Sequence, residues 1–383
     1  MNSRQRLLTT LTHQEPDRIP QDLGATQVTG VHERVYTALR HRLGLPSQKT
    51  VFSDHIQGLA LIDDDLAIRL GVDVRGLFPF NSHNWNVTEQ AERDYWIYHD
   101  EWGIVHRRLY PDGLYYSILK EPLNQPDLSV EQIRNYDWPD FRASWRIDGL
   151  RAQAQAYRAA NYAVVLKDPF AGIFEMAQRI VGMENLLLMM AANASLAGAL
   201  FEKLAELKLN FWEMALPQLA DLVDVISQAD DYGSQASQII SPRMFRKQIK
   251  PHWQVIFERI KQLAPNAYRF FHSCGNVRPL IPDFIELGVQ ILNPVHIRAT
   301  GMEPTALKRD FGDVLTFWGG GVDTQDVLPY GSPQQVRDEV RRNIEALAPG
   351  GGYVFNPVHN IQADVPVENI LSMLTALQEF GAY

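Results

Sequence analysis

Eight short apolar runs, each followed by a longer stretch of helical period, divide this chain of 383 residues. The runs are rich in β-branched and aromatic residues and occupy 18–26, 72–78, 162–169, 223–233, 268–275, 289–296, 314–323 and 353–361. Strand-like runs alternating with helix-like segments argue for parallel βαβ units, because a parallel pair needs a crossover long enough to hold a helix. Eight units in one chain predict a (β/α)8 TIM barrel spanning residues 1–383 as a single domain. Two intervening segments carry clear boundary signals. "SPRMFRKQIKPHWQVIFERIKQLAP" and "SPQQVRDEVRRNIEALAPGGG" both open on Ser-Pro, an N-cap followed by a first-turn proline, and the second closes on glycines.

The rhythm breaks over 80–125. There "YWIYHDEWGIVHRRLYPDGLYYSILKEPL" alternates apolar and polar residues around a Pro-Asp-Gly turn at 111–113. This predicts a β-hairpin or meander inserted after the second barrel strand, its aromatics packing the hairpin. A helix over about 2–13 is expected to cap the barrel.

Composition excludes some function classes. A net charge of −9 and only short basic runs disfavour a nucleic-acid surface, which needs clustered Lys and Arg. No window approaches the apolar length of a membrane span. The N-terminus lacks a long apolar run, and one cysteine cannot form an internal disulfide, so a reducing cytoplasmic setting is expected. Small-molecule chemistry in the barrel mouth remains.

In such barrels the C-terminal strand ends form the mouth. The runs offer there Asp22, Asp73 with Arg75, Lys167 with Asp168, then Asp230, Asp231 and Tyr232. They continue with His272 and Cys274, His296, Asp323 and His359. In "RFFHSCGNVRPL" the alternation of a strand sends His272 and Cys274 to the same side. Imidazole and thiolate at that spacing reach one ion together, and zinc accepts both ligand types. A catalytic zinc needs a third protein ligand. His359 is the first candidate, ahead of Asp230, Asp231 and His296.

Other readings of the same residues stand beside this one. Cys274 with His272 or His359 makes a nucleophile and base pair, or Cys274 is a buried small hydrophobe. "WGGGVD" (318–323) offers Gly320 and Gly321 as a backbone cradle for a phosphate or cofactor, or uses glycine for tight passage. Asp73 is a further cofactor-binding candidate. Asp230 and Asp231 are adjacent, so at most one faces the cavity.

Taken together, "LTHQEPDRIP", "VDVISQADDYGSQ", "SPRMFRKQIKP", "FHSCGNVRPLIPDFIELGVQILNPV", "WGGGVD" and "FNPVHNIQADVPVENI" resemble the uroporphyrinogen decarboxylase superfamily over nearly the whole chain. The resemblance implies a (β/α)8 barrel and one of two chemistries. Metal-free decarboxylases in the family hold porphyrinogen carboxylates with an arginine pair after the first strand; here that segment reads "QDLGATQVTGVHERVY" and the pair is missing. The cobamide-dependent methyltransferase branch binds zinc through His-X-Cys and a distant third ligand, typically a cysteine after the last strand. His272 and Cys274 match, and His359 stands where that cysteine is expected. The resemblance therefore implies a zinc-dependent methyltransferase working with a corrinoid carried by a partner protein, with metal-free decarboxylation as the alternative. On that reading Asp231 orients or deprotonates the nucleophile, and Asp168, Tyr232 and Asp323 shape the cavity around a small-molecule substrate.

Overall fold

The computed structural model describes residues 1–81, 90–92, 94–110 and 112–383. Three short strands come first, β1 (Val31–His32), β2 (Phe52–Asp54) and β3 (Leu59–Ala60), in an antiparallel sheet of order β1-β3-β2. The barrel's first full strand is β4 (Val74–Leu77). After it, β5 (Gln90–Glu92), β6 (Tyr95–His99), β7 (Val105–Leu109) and β8 (Ser117–Lys120) form a separate antiparallel meander. This is the insertion expected over 80–125, although 82–89, 93 and Pro111 of the expected turn lie outside the described residues. Its aromatics pack one another, Tyr98 stacking on His106 at 4.7 Å and meeting Tyr116 edge-on at 4.8 Å.

The remaining strands are β9 (Ala163–Leu166), β10 (Val225–Ala229), β11 (Tyr268–His272), β12 (Ile291–Asn293), β13 (Thr316–Trp318) and β14 (Tyr353–Val354). With β4 they make a parallel sheet of order β14-β13-β12-β11-β10-β9-β4, so every neighbour is also the next barrel strand in sequence. Residues 20–22 close it. Phe355 N–H donates to Pro20 O (2.8 Å), Asp22 N–H to Phe355 O (2.9 Å), and Asp73 N–H to Gln21 O (2.9 Å). The eighth position of the TIM barrel is thus a single bridge, Gln21 to Phe355, shorter than the run at 18–26. Proline has no N–H to extend the ladder.

Strand alternation sorts the core into two layers. In β11, Phe271 turns outward and meets Trp253 and Phe284 edge-on at 5.1 and 5.0 Å. Phe270 turns inward against Trp318 at 5.5 Å. His272, two residues on, shares the inward side at the strand's C-terminal end. Each fully buried aromatic here contributes about 1.5–3 kcal/mol by leaving water.

The helix Ser3–Leu11 starts on a capping box between Asn2 and Gln5. Gly352 N–H donates to Thr10 O, and Arg4 N–H to Asn161 O. Those partners precede β14 and β9, so the helix covers the N-terminal end of the barrel. The two Ser-Pro starts cap as expected: Ser241 accepts from Met244 N–H and Ser332 forms a capping box with Gln335. The first of these helices contains a π turn over Phe245–Ile249, just before Pro251, which has no N–H to donate to the preceding turn. No helix among the described residues is long and apolar enough to cross a membrane.

Candidate metal centre and cavity

Three donors from two sequence-distant strand ends meet at the barrel mouth. The ligand atoms of His272, Cys274 and His359 all lie within 4.8 Å of one another. His272 Nε2 and Cys274 Sγ are 3.4 Å apart, and the His272 and His359 rings meet edge-on at 5.4 Å. Two ligands on one tetrahedral zinc, at about 2.0–2.3 Å from the ion, are separated by roughly 3.3–3.6 Å. The existing His–Cys spacing already matches that.

Backbone geometry makes the spacing possible. After Cys274 the chain turns at Gly275, which has φ +79°; a Cβ there would meet the backbone of Gly233 at 2.4 Å. No other residue fits so close to the neighbouring loop. Gly275 N–H donates to His296 Nδ1 (3.0 Å), tying the turn to the loop after β12. His296 thus serves the turn.

The tautomer of His272 is set by a residue the sequence did not single out. Asn293, at the end of β12, donates through Nδ2 to Trp318 O (2.7 Å), which leaves its Oδ1 to accept from His272 Nδ1 at 2.5 Å. With the proton on Nδ1, Nε2 keeps its lone pair toward Cys274. Such a partner on the remote nitrogen orients a metal-binding imidazole.

Electrostatics around the triad is asymmetric. Burial pushes the Cys274 thiol well up, with the Asp231 and Glu175 carboxylates adding to the effect. Burial also pushes His359 down to about 3, helped by His272 and His296. Asp231 is raised by burial, partly countered by His272. The site therefore offers a neutral His359 imidazole and a thiol held protonated by burial and, to a lesser degree, by nearby carboxylates, and a divalent cation reverses that effect. These residues fit zinc.

Beside the triad lies a cavity of about 340 Å³ lined by His272, His359 and Asp231. The meander supplies Asp100, Glu101 and Trp102, the segment after the first strand Gln27 and Val28, and β9 and its loop Lys167 and Phe170. Asp231 accepts from Cys274 N–H (2.8 Å) and stands 3.6 Å from His272 Nε2. Its neighbour Asp230 points the other way, accepting from Phe174 and Glu175 N–H at a helix start. The adjacent carboxylates do divide as strand alternation requires.

Other expected site residues lie elsewhere. Tyr232 is fully buried behind the wall, donating to Asp230 and stacked on Phe174. Asp168 backs the cavity without lining it, held by Gln27 Nε2 (3.2 Å) and Lys208 Nζ (3.4 Å). Asp323 is turned to a loop, accepting from the N–H groups of Gln325, Asp326 and Val327 and pairing with Arg298. Asp73 precedes its strand and so sits at the opposite, N-terminal end, bound by Arg6 (2.7 Å) and Arg18 (2.8 Å). Arg75 lies along the same strand, paired with Asp64.

Gly320 and Gly321, expected as a backbone cradle, pack closely against neighbouring residues. A Cβ on them would meet Val295 at 2.6 Å and the Phe355 ring at 2.5 Å, so glycine serves close passage there.

The His–Cys–His donor set at the C-terminal mouth of this (β/α)8 barrel could hold a metal ion beside the acid-lined cavity. A family model described as Uroporphyrinogen decarboxylase (URO-D) matches residues 123–380. The chain belongs to that family. The uroporphyrinogen decarboxylase of Pseudoalteromonas translucida is 33% identical over 95 residues, 22% of this chain and 26% of that protein. That of Thermus thermophilus is 26% identical over 184 residues, 48% of each chain. The chain thus spans about half or less of the length of these curated relatives. A solved methyltransferase from Methanosarcina mazei has the same fold, with a TM-score of 0.64 over 99% of both chains at 18% identity.

Proposed function

We propose that this protein is a zinc-dependent methyltransferase that exchanges a methyl group between a corrinoid borne by a partner protein and a small molecule held in the cavity. The observation that carries the reading is the convergence of His272, Cys274 and His359 donor atoms within 4.8 Å. The fold shared with the Methanosarcina mazei methyltransferase over 99% of both chains supports it.

His272 Nε2, Cys274 Sγ and one nitrogen of His359 would hold the ion. When bound, zinc lowers the pKa of a thiol or similar acidic nucleophile and keeps it deprotonated at neutral pH. The chain's own residues do the rest. Asn293 fixes the His272 ring and its tautomer. Asp231, held to Cys274 N–H, faces the cavity where it accepts or returns a proton. Trp102 and Phe170 wall the space with apolar surface and exclude water.

The test is zinc stoichiometry in protein purified without added metal, together with demethylation of methylcobalamin by a thiol. Wild type is expected to carry one zinc per chain and to demethylate. Cys274→Ser is expected to lose both while unfolding within about 1 kcal/mol of wild type. Unchanged zinc in Cys274→Ser would remove the basis of the reading.

A further inference from the structure

Of the two Lys and Arg side chains among the described residues that line the cavity, Arg179 is paired with Glu175 and Lys167 is left without an ion pair. It is only 7% exposed, and it follows β9 at the cavity wall. Its Nζ donates to Asp168 O (3.0 Å), a backbone carbonyl, and among the described residues it makes no ion pair. An ammonium carries three donors and is costly to bury without an anion.

The acid next to it in sequence, Asp168, is already taken. The Asp168 carboxylate is held by Lys208 on one oxygen and by Gln27 on the other. Lys208 itself is fully buried and close enough to Lys167 for the two ammonium groups to repel. The cavity's other carboxylates are also committed. Asp100 pairs with His106 and Glu101 with Arg146, both at close range (2.8 and 2.7 Å). Glu175 pairs with Arg179, Asp54 accepts from Gln57, and Asp231 accepts from Cys274 N–H.

We infer that Lys167 binds an acidic group of the substrate, so that the cavity takes a small organic anion whose reacting end lies toward His272, Cys274 and His359. The inference rests on this cavity being the substrate site, as in the function proposed above, but not on metal or methyl transfer. A carboxylate or sulfonate supplies the charge-assisted partner that the protein withholds. Trp102 and Phe170 receive its apolar part.

The experiment compares benzoate with benzamide, an uncharged molecule of the same shape, binding to protein stripped of metal with a chelator. Titration calorimetry or ligand-observed NMR reads the affinities for wild type and Lys167→Met. Methionine keeps the length and removes the uncompensated charge, so the variant is expected to fold, as its thermal melt checks. Wild type is expected to prefer benzoate by about tenfold or more, as a charge-assisted hydrogen bond provides. In Lys167→Met the two affinities are expected to converge. Equal binding in wild type, absence of saturable binding, or a benzoate preference that survives Lys167→Met would each overturn the inference. Because metal is absent throughout, the zinc reading stands or falls separately on its stoichiometry.

Discussion

Asn293 Oδ1 accepts the Nδ1 proton of His272 at 2.5 Å, while its Nδ2 is committed to Trp318 O at 2.7 Å. The amide cannot flip without facing two donors or two acceptors together. One side chain on β12 therefore dictates which nitrogen of a β11 histidine is free. Replacing Asn293 with Leu is expected to weaken zinc binding about 10- to 100-fold, the usual loss when such an orienting partner goes. Asn293→Asp keeps the acceptor and is expected to retain most of the affinity. Chelator competition measures both, and the cobalt(II)-substituted spectrum reports whether thiolate coordination changes. Equal affinities for wild type and Asn293→Leu would reduce Asn293 to packing.

Lys208 and Asp168 form an ion pair in which both side chains are fully buried. Removing one member leaves the other charge uncompensated, at a cost of about 3–5 kcal/mol. Lys208→Met is expected to lose that much in urea unfolding. Lys208→Met combined with Asp168→Asn is expected to recover more than half, because no orphan charge remains. If single and double variants unfold at the same urea concentration, the pair contributes nothing through its charge.

Asp22 is buried under Trp318, whose Nε1–H donates to it at 2.9 Å. Burial pushes this carboxyl up from 3.8 to about 6. A folded-state pKa above the unfolded one means that the native protein binds more protons between those values. Its favourable contribution is complete below the unfolded value and is lost as pH rises through about 6. Relative to Asp22→Asn, wild type should therefore lose stability between about pH 4 and pH 6 by up to ~3 kcal/mol, then stay level. Denaturation of both proteins across that range checks the slope. An opposite slope would mean that the hydrogen-bond donors outweigh burial.

Uroporphyrinogen is expected to be left unchanged. After the first strand the chain contributes Gln27 and Val28 to the cavity, not an arginine pair, and the cavity's arginine, Arg179, is bound to Glu175. Anaerobic assay with chromatography of the porphyrins should show no coproporphyrinogen. Its clear formation would favour the metal-free decarboxylase.

The alternation of apolar runs with helical segments determined the barrel, its strand order and the position of the insertion, since parallel neighbours need crossovers of that length. The same local rule placed His272 and Cys274 on one side and split Asp230 from Asp231. It misjudged Asp73, because a run says where a strand lies but only loosely which of its residues begin it. It also missed the sheet β1-β3-β2, whose strands are two or three residues long and carry too few positions for a period to emerge.

What only the tertiary structure decided is which polar residues share space. Asn293 meets His272 across adjacent strands, Lys208 reaches Asp168 from a helix 40 residues away, and Trp102 enters the cavity from the meander. None of these pairs has a sequence spacing that marks it. Lys167 and Asp168 looked alike as strand-end charges. Only packing assigned a cation to Asp168 and left Lys167 without an anion among the described residues, because pairing depends on distance through space, and a closed barrel brings the ends of distant strands together.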